Sequence, residues 1–119
     1  MSIPSKKEYL AALSERLARR FPENATVNLV FHGHSVPAGY ACTPWVDSFH
    51  AYPHLVHRTL KQRFPFSVIN PIVTAVGGEQ AQQGAARFDS DVLCHRPDLV
   101  ILDYGLNDRI LTLAEAEAA

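Results

Sequence analysis

Excess charge of either sign is missing from this chain. Its 11 Lys and Arg residues against 12 Asp and Glu leave a formal net charge of −1 over 119 residues. A protein so balanced projects no long-range field, which argues against nucleic acid and anionic membrane surfaces as partners. Cysteine is scarce as well. The 2 present, Cys42 and Cys94, stand in neither a Cys-x-x-Cys nor a zinc-finger spacing, so no disulfide framework is implied and both read as free, packed thiols. No stretch approaches the roughly 20 apolar residues of a membrane span, and residues 1–7 lack the apolar core of a signal peptide. The expected location is therefore the cytoplasm.

What remains is an ordinary globular composition, 47% hydrophobic and 19% charged, at a length that holds one core. Residues 6–20 place Tyr9, Leu10, Leu13, Leu17 and Ala18 on one stripe at helical spacing, with Ser5 as cap. Pro22, Glu23 and Asn24 break that helix, and the β-branched run 26–31 reads as a strand buried on both faces. A loop over 32–45 carries Pro37, Gly39 and Pro44. A second helix is expected over 47–64, where Pro53 marks a late start or a kink. A second strand within 66–76, a turn at Gly77 and Gly78, a helix over 82–95 and a third strand over 98–103 follow. Thr112 could cap a last helix over 113–119.

Strands alternating with helices imply parallel strands and right-handed crossovers. The expected fold is a three-layer α/β domain of flavodoxin-like type, with a parallel sheet in the order 2-1-3. Its third strand would be an apolar edge. The single domain over 1–119 is thus expected to be incomplete, or to have that edge covered by a partner or by a second copy in a homo-oligomer.

Two short motifs carry chemistry. Gly33-His34-Ser35 follows the apolar run 27–31, and Gly105-Leu106-Asn107-Asp108 follows 99–102. Both fall at the carboxyl ends of strands, where reacting groups gather in open α/β sheets. A hydroxyl leaving one strand end and a carboxamide leaving another suit acyl chemistry, with Ser35 attacking and Asn107 holding the developing oxyanion. Two further donors could converge there, the backbone N–H groups of Ser35 and Gly78. Losing one such donor typically costs about 3 to 4 kcal/mol of transition-state stabilisation.

These blocks resemble the SGNH hydrolases, the GDSL esterase and lipase family. Gly33-His34-Ser35 with Gly39 resembles the first block of that family, Val76-Gly77-Gly78-Glu79 with residues 82–88 the second, and the stretch 103–108 the third. The resemblance implies Ser35 as nucleophile and Ser35, Gly78 and Asn107 as the oxyanion hole. Gly33, His34, Gly105 and Asp108 would support them. It implies hydrolysis of a small-molecule acyl or carbohydrate ester through an acyl-enzyme, with no cofactor.

The chain departs from the family pattern at two points. His34 stands where the family has aspartate, and no Asp-x-x-His follows Asp108 to supply the general base. The chain alone is therefore expected to be weak or inactive. His32, His50, His54 and His57 are geometrically possible substitutes. Two other readings remain: a non-catalytic interaction domain that keeps the fold, and a metal-binding module built on His50, His54 and His57 with His32 and His34. Tyr40 and Trp45 could form an apolar wall of a substrate pocket. Arg87 and Asp91, four apart, read as a solvated surface pair.

Overall fold

The computed structural model describes residues 10–40 and 42–104. Along the chain run α1 (Ala11–Leu17), β1 (Thr26–Gly33), α2 (Ser35–Ala38), a 3-10 turn (Ser48–His50), α3 (Tyr52–Arg63) and β2 (Val68–Val73). Then come α4 (Ala81–Ala86), α5 (Phe88–Asp91), a second 3-10 turn (Leu93–His95) and β3 (Leu99–Asp103). The three strands form a parallel sheet in the order β2-β1-β3, as expected.

The central strand explains the layering. Side chains alternate across a strand, so Val27, Leu29 and Phe31 share one face of β1 and Asn28, Val30 and His32 the other. The first set forms a core with Leu17 and Ile69, against which Leu13, Val56 and Leu60 of α1 and α3 pack. The second set meets α4, α5 and the turn after them: His32 bonds Gly84 and abuts Phe88, and the Asn28 side chain donates to the His95 carbonyl at 2.9 Å. Three layers result. Phe31, Leu29, Val27 and Val30 are essentially fully buried, and each such side chain contributes about 1.5 to 3 kcal/mol.

Polar ties set the register at the other end of the sheet. Asp98, just before β3, accepts the Asn28 backbone N–H at 2.8 Å and the Arg16 guanidinium at 2.6 Å, joining β3 to both β1 and α1. Burial alone would raise the carboxyl pKa of Asp98, but these two donors outweigh it and hold it below its ordinary value.

Several elements differ from the sequence expectation. Within the described residues the first helix is confined to Ala11–Leu17, while Ser5 and the helix over 113–119 lie outside them. The loop expected over 32–45 instead opens with the last two residues of β1, His32 and Gly33, and then a single helical turn, α2, because His34 caps it and Gly39 ends it in the left-handed region at φ 107°. Pro53 sits in the first turn of α3, where no intrahelical donor is needed, so the late start holds. The helix over 82–95 is broken into α4, α5 and a 3-10 turn. Its break falls at Arg87, whose side chain turns inward to bond Thr74 and Glu79 rather than lie along a surface helix. Among the described residues β3 pairs only with β1, and Leu102 on it is 62% exposed.

Candidate active site

Ser35 opens α2 directly after β1, at the carboxyl edge of the sheet. Its position follows from two neighbours. Gly33 lets β1 and β3 close together, since a Cβ there would lie 2.5 Å from the Asp103 carbonyl oxygen. His34, 1% exposed, accepts the Val36 N–H on Nδ1 at 3.1 Å and donates its own backbone N–H to the Asp103 carbonyl. An imidazole nitrogen that accepts carries no proton, so the His34 proton is on Nε2. That nitrogen lies 3.2 Å from Asp103 Oδ1 but is not aligned for a hydrogen bond. His34 thus does the turn-ordering work of a capping carboxylate with a neutral ring.

Ser35 faces an open cleft of about 420 Å³ that is also lined by Tyr40, Thr43, Gly77 and Gly78. The strand-like bonding of the β2 exit brings the glycines there: the Thr74 N–H donates to Phe31 and the Val76 N–H to Gly33, both at 3.0 Å. Gly78 has φ +79°, a conformation that favours glycine, and no described atom lies within 4 Å of a Cβ built on it. The structure therefore brings Ser35 and Gly78 to one cleft. Gly105, Asn107 and Asp108 lie outside the described residues. Tyr40 lines the cleft as expected, with its ring against Gly77. Trp45 does not. It is 68% exposed, pairs through its backbone with Cys42, and is not among the residues that line the cleft.

The histidines separate into distinct roles. His32 is buried, with Nε2 2.9 Å from the Gly84 carbonyl and Nδ1 2.7 Å from the Thr74 hydroxyl. A carbonyl only accepts, so Nε2 donates, and Nδ1 is occupied by the Thr74 hydroxyl. Both nitrogens are committed, which removes His32 as a base for Ser35. His50 forms a 2.7 Å pair with Asp47 in a neighbouring hollow that shares Tyr40 with the Ser35 cleft. The sequence signal for this pair is the Asp-x-x-His spacing of residues 47–50. Among the described residues no imidazole lines the Ser35 cleft, and no group of three or more His, Cys, Asp or Glu side chains is gathered to hold a metal ion. Cys42 and Cys94 are free thiols as read from the sequence, but exposed rather than packed.

Arg87 is far more than a surface partner for Asp91. It keeps that bond, at 3.2 Å, yet its Nε lies 3.0 Å from both carboxylate oxygens of Glu79 and its Nη2 donates to the Thr74 carbonyl. Tyr104, at the exit of β3, donates its hydroxyl to Glu79 Oε1 at 2.7 Å. Burial would raise the carboxyl pKa of Glu79, but the bonds from Arg87 and Tyr104 outweigh burial and lower it. Burial and the Glu79 carboxylate push the Tyr104 phenol well above its ordinary value, so it remains a donor. Sequence spacing showed only the Arg87–Asp91 pair, because the other partners are distant along the chain.

The model of the GDSL-like Lipase/Acylhydrolase family matches residues 31–119. The crystal structure of a two-domain esterase (CEX) active on acetylated mannans, co-crystallized with mannopentaose, is similar at 27% identity and TM-score 0.73, over 83% of this chain and 25% of that one. A lipase/acylhydrolase from Enterococcus faecalis is similar at 27% identity and TM-score 0.59, over 72% of this chain and 42% of that one. The acetylxylan esterase Axe2 from Geobacillus stearothermophilus shares the fold, at 23% identity and TM-score 0.60, over 79% and 46% of the two chains. This chain thus spans a quarter to under half of the length of these structures. No curated protein sequence matches it. No described helix is long and apolar enough to cross a membrane. A family match running from the last residues of the central strand through both glycine-bearing turns places the chain in the GDSL-like lipase/acylhydrolase family.

Proposed function

We propose that this chain carries the nucleophile and oxyanion elements of a serine ester hydrolase. Ser35 Oγ attacks the acyl carbon and passes its proton to solvent water as the Oγ–C bond forms. The carbonyl oxygen becomes an oxyanion within reach of the backbone N–H groups of Ser35 and Gly78, with the Asn107 carboxamide as third donor. Collapse breaks the ester C–O bond and expels the alcohol, which takes a proton from solvent; water then adds to the acyl carbon, and the acid leaves as Ser35 Oγ regains a proton. The observation that supports this reading best is the shared cleft of Ser35 and Gly78.

The substrate class follows the same support. A carbohydrate acyl ester suits an open cleft on a chain similar to an esterase active on acetylated mannans. Proton removal from Ser35 is the slow step in this reading, because no described imidazole lines the cleft. Turnover is slow in this reading, since a serine without its base commonly loses several powers of ten in rate.

A fluorophosphonate probe tests the assignment. It labels the wild-type chain slowly at Ser35, identified by peptide mass, and fails to label Ser35→Ala. Equal labelling of both proteins overturns the nucleophile. No labelling of either, with no hydrolysis of p-nitrophenyl acetate above the Ser35→Ala background, points instead to a domain that keeps the fold without the chemistry.

A further inference from the structure

The Gly78 N–H can serve an oxyanion only if it is held in place, and such groups must be fixed to within about 0.5 Å to be effective. Gly77 and Gly78 have no side chains to pack, and Gly78 faces open space. The segment 74–79 that carries them must therefore be anchored at its ends. On its incoming side it is bonded to β1 through the N–H groups of Thr74 and Val76. On its outgoing side stands Glu79, only 8% exposed.

One guanidinium closes the circuit. Arg87 donates from Nη2 to the carbonyl of Thr74, at the start of the segment, and from Nε to both oxygens of Glu79, at its end. Tyr104 donates to the same carboxylate at 2.7 Å and lies 3.4 Å from Arg87 Nη2. The Tyr104 ring is held in turn by edge contacts with His32 and His34, the residues on either side of Gly33 and just before Ser35. Gly84 leaves room for it, since a Cβ there would lie 2.2 Å from the Tyr104 oxygen. The ends of all three strands thus meet in one network. It joins the β2 loop bearing Gly78, the β1 exit bearing Ser35 and the β3 exit that leads to Asn107.

We propose that Glu79, Arg87 and Tyr104 are positioning residues that set the Gly78 N–H against Ser35, a role that rests on the ester hydrolase reading above. None of the three lines the Ser35 cleft, so they act through the loop and not by touching substrate. A lysine at 87 keeps the charge but offers a single point of contact in place of the planar fork that spans Thr74 and Glu79. A phenylalanine at 104 removes only the hydroxyl.

The experiment compares wild type, Arg87→Lys and Tyr104→Phe in the full 119-residue chain, using p-nitrophenyl acetate turnover and amide hydrogen exchange. Arg87→Lys is expected to lower kcat about 10- to 100-fold with KM nearly unchanged, because misplacement by an ångström can cost about 100-fold. Exchange at residues 76–79 is expected to quicken in both variants, and more in Arg87→Lys. Exchange at the buried residues of β1 should remain as in wild type. A variant that loses β1 protection as well has lost the fold, and Tyr104→Phe, the milder change, then decides. Wild-type exchange at 76–79 in Tyr104→Phe and Arg87→Lys alike overturns the positioning role, whatever the activity. If exchange quickens as expected but wild type turns over no ester, the loop is fastened as described and the hydrolase reading is what fails.

Discussion

The two walls of the Ser35 cleft are built on different principles. On one side, residues 74–79 are bonded to β1, bridged end to end by Arg87 and tied through Glu79 to Tyr104. On the other, Tyr40 and Thr43 line the cleft beside a segment, 42–50, that is exposed throughout and rests on a few short-range contacts: Trp45 to the Cys42 carbonyl, Asp47 to the Gly39 carbonyl, and His50 to Asp47. The first wall holds backbone groups still and the second offers side chains to solvent. In enzymes of this layout the fixed side suits the stabilisation of charge, and the exposed side suits contact with whatever the cleft receives. The contrast makes a physical claim: a small insult to the first wall should be felt through the sheet, and a large one to the second should not.

The largest effect is expected from a single methyl group. In Gly84→Ala the added Cβ would fall 2.2 Å from the Tyr104 oxygen and 2.3 Å from its ring carbon Cζ, too close for either to stay. The ring cannot simply swing aside, because it abuts His32 and His34 and its hydroxyl is bonded to Glu79. Overpacking of this kind costs typically about 1 to 3 kcal/mol, and the loss of the buried hydroxyl bond adds to it. Urea unfolding should therefore show a loss of about 3 kcal/mol. A loss under about 0.5 kcal/mol, the range of an ordinary surface change, would mean that Tyr104 is not pinned and that the first wall is no firmer than the second.

Acid should loosen the first wall more gently. The pKa of Glu79 is lowered in the folded chain, so its contribution is fully present above the ordinary carboxylate range and is lost as pH falls through the lower, folded value. Stability against urea should fall with acid in wild type, and fall less in Glu79→Gln, which has no carboxylate to protonate. Parallel pH profiles for the two proteins would show that Glu79 does not exchange its proton with folding.

Much of this was legible along the chain. Apolar runs separated by helical stretches were enough for a parallel sheet in the order 2-1-3, because the central strand alternates apolar residues toward two helical layers. Ser35 and Gly78 could be placed at one edge because each follows a strand in a short glycine-bearing turn. Four features escaped because each depends on a contact or an exposure that residue spacing does not display. Arg87 reads as a surface residue until Thr74, Glu79 and Tyr104 are brought to it from three other segments. The tautomer of His34 is set by one backbone N–H, and the commitment of His32 by Gly84, 52 residues away. Trp45 reads as a wall of the pocket by position, and only its exposure in the folded chain shows that it lies off the cleft lining.

That exposure supplies the smallest predicted effect and the sharpest contrast with Gly84. Trp45→Ala removes the one tryptophan of the chain, a far larger change in atoms than a single methyl group. Removing an aromatic from a core typically costs about 3 to 5 kcal/mol. Here the side chain is already in solvent, so there is little burial to lose and the backbone bridge to Cys42 does not depend on it. Urea unfolding should show a change within about 0.5 kcal/mol, and amide exchange at residues 76–79 should match wild type. A loss above about 1 kcal/mol, or faster exchange across the cleft, would show that the two walls share packing and are not independently built.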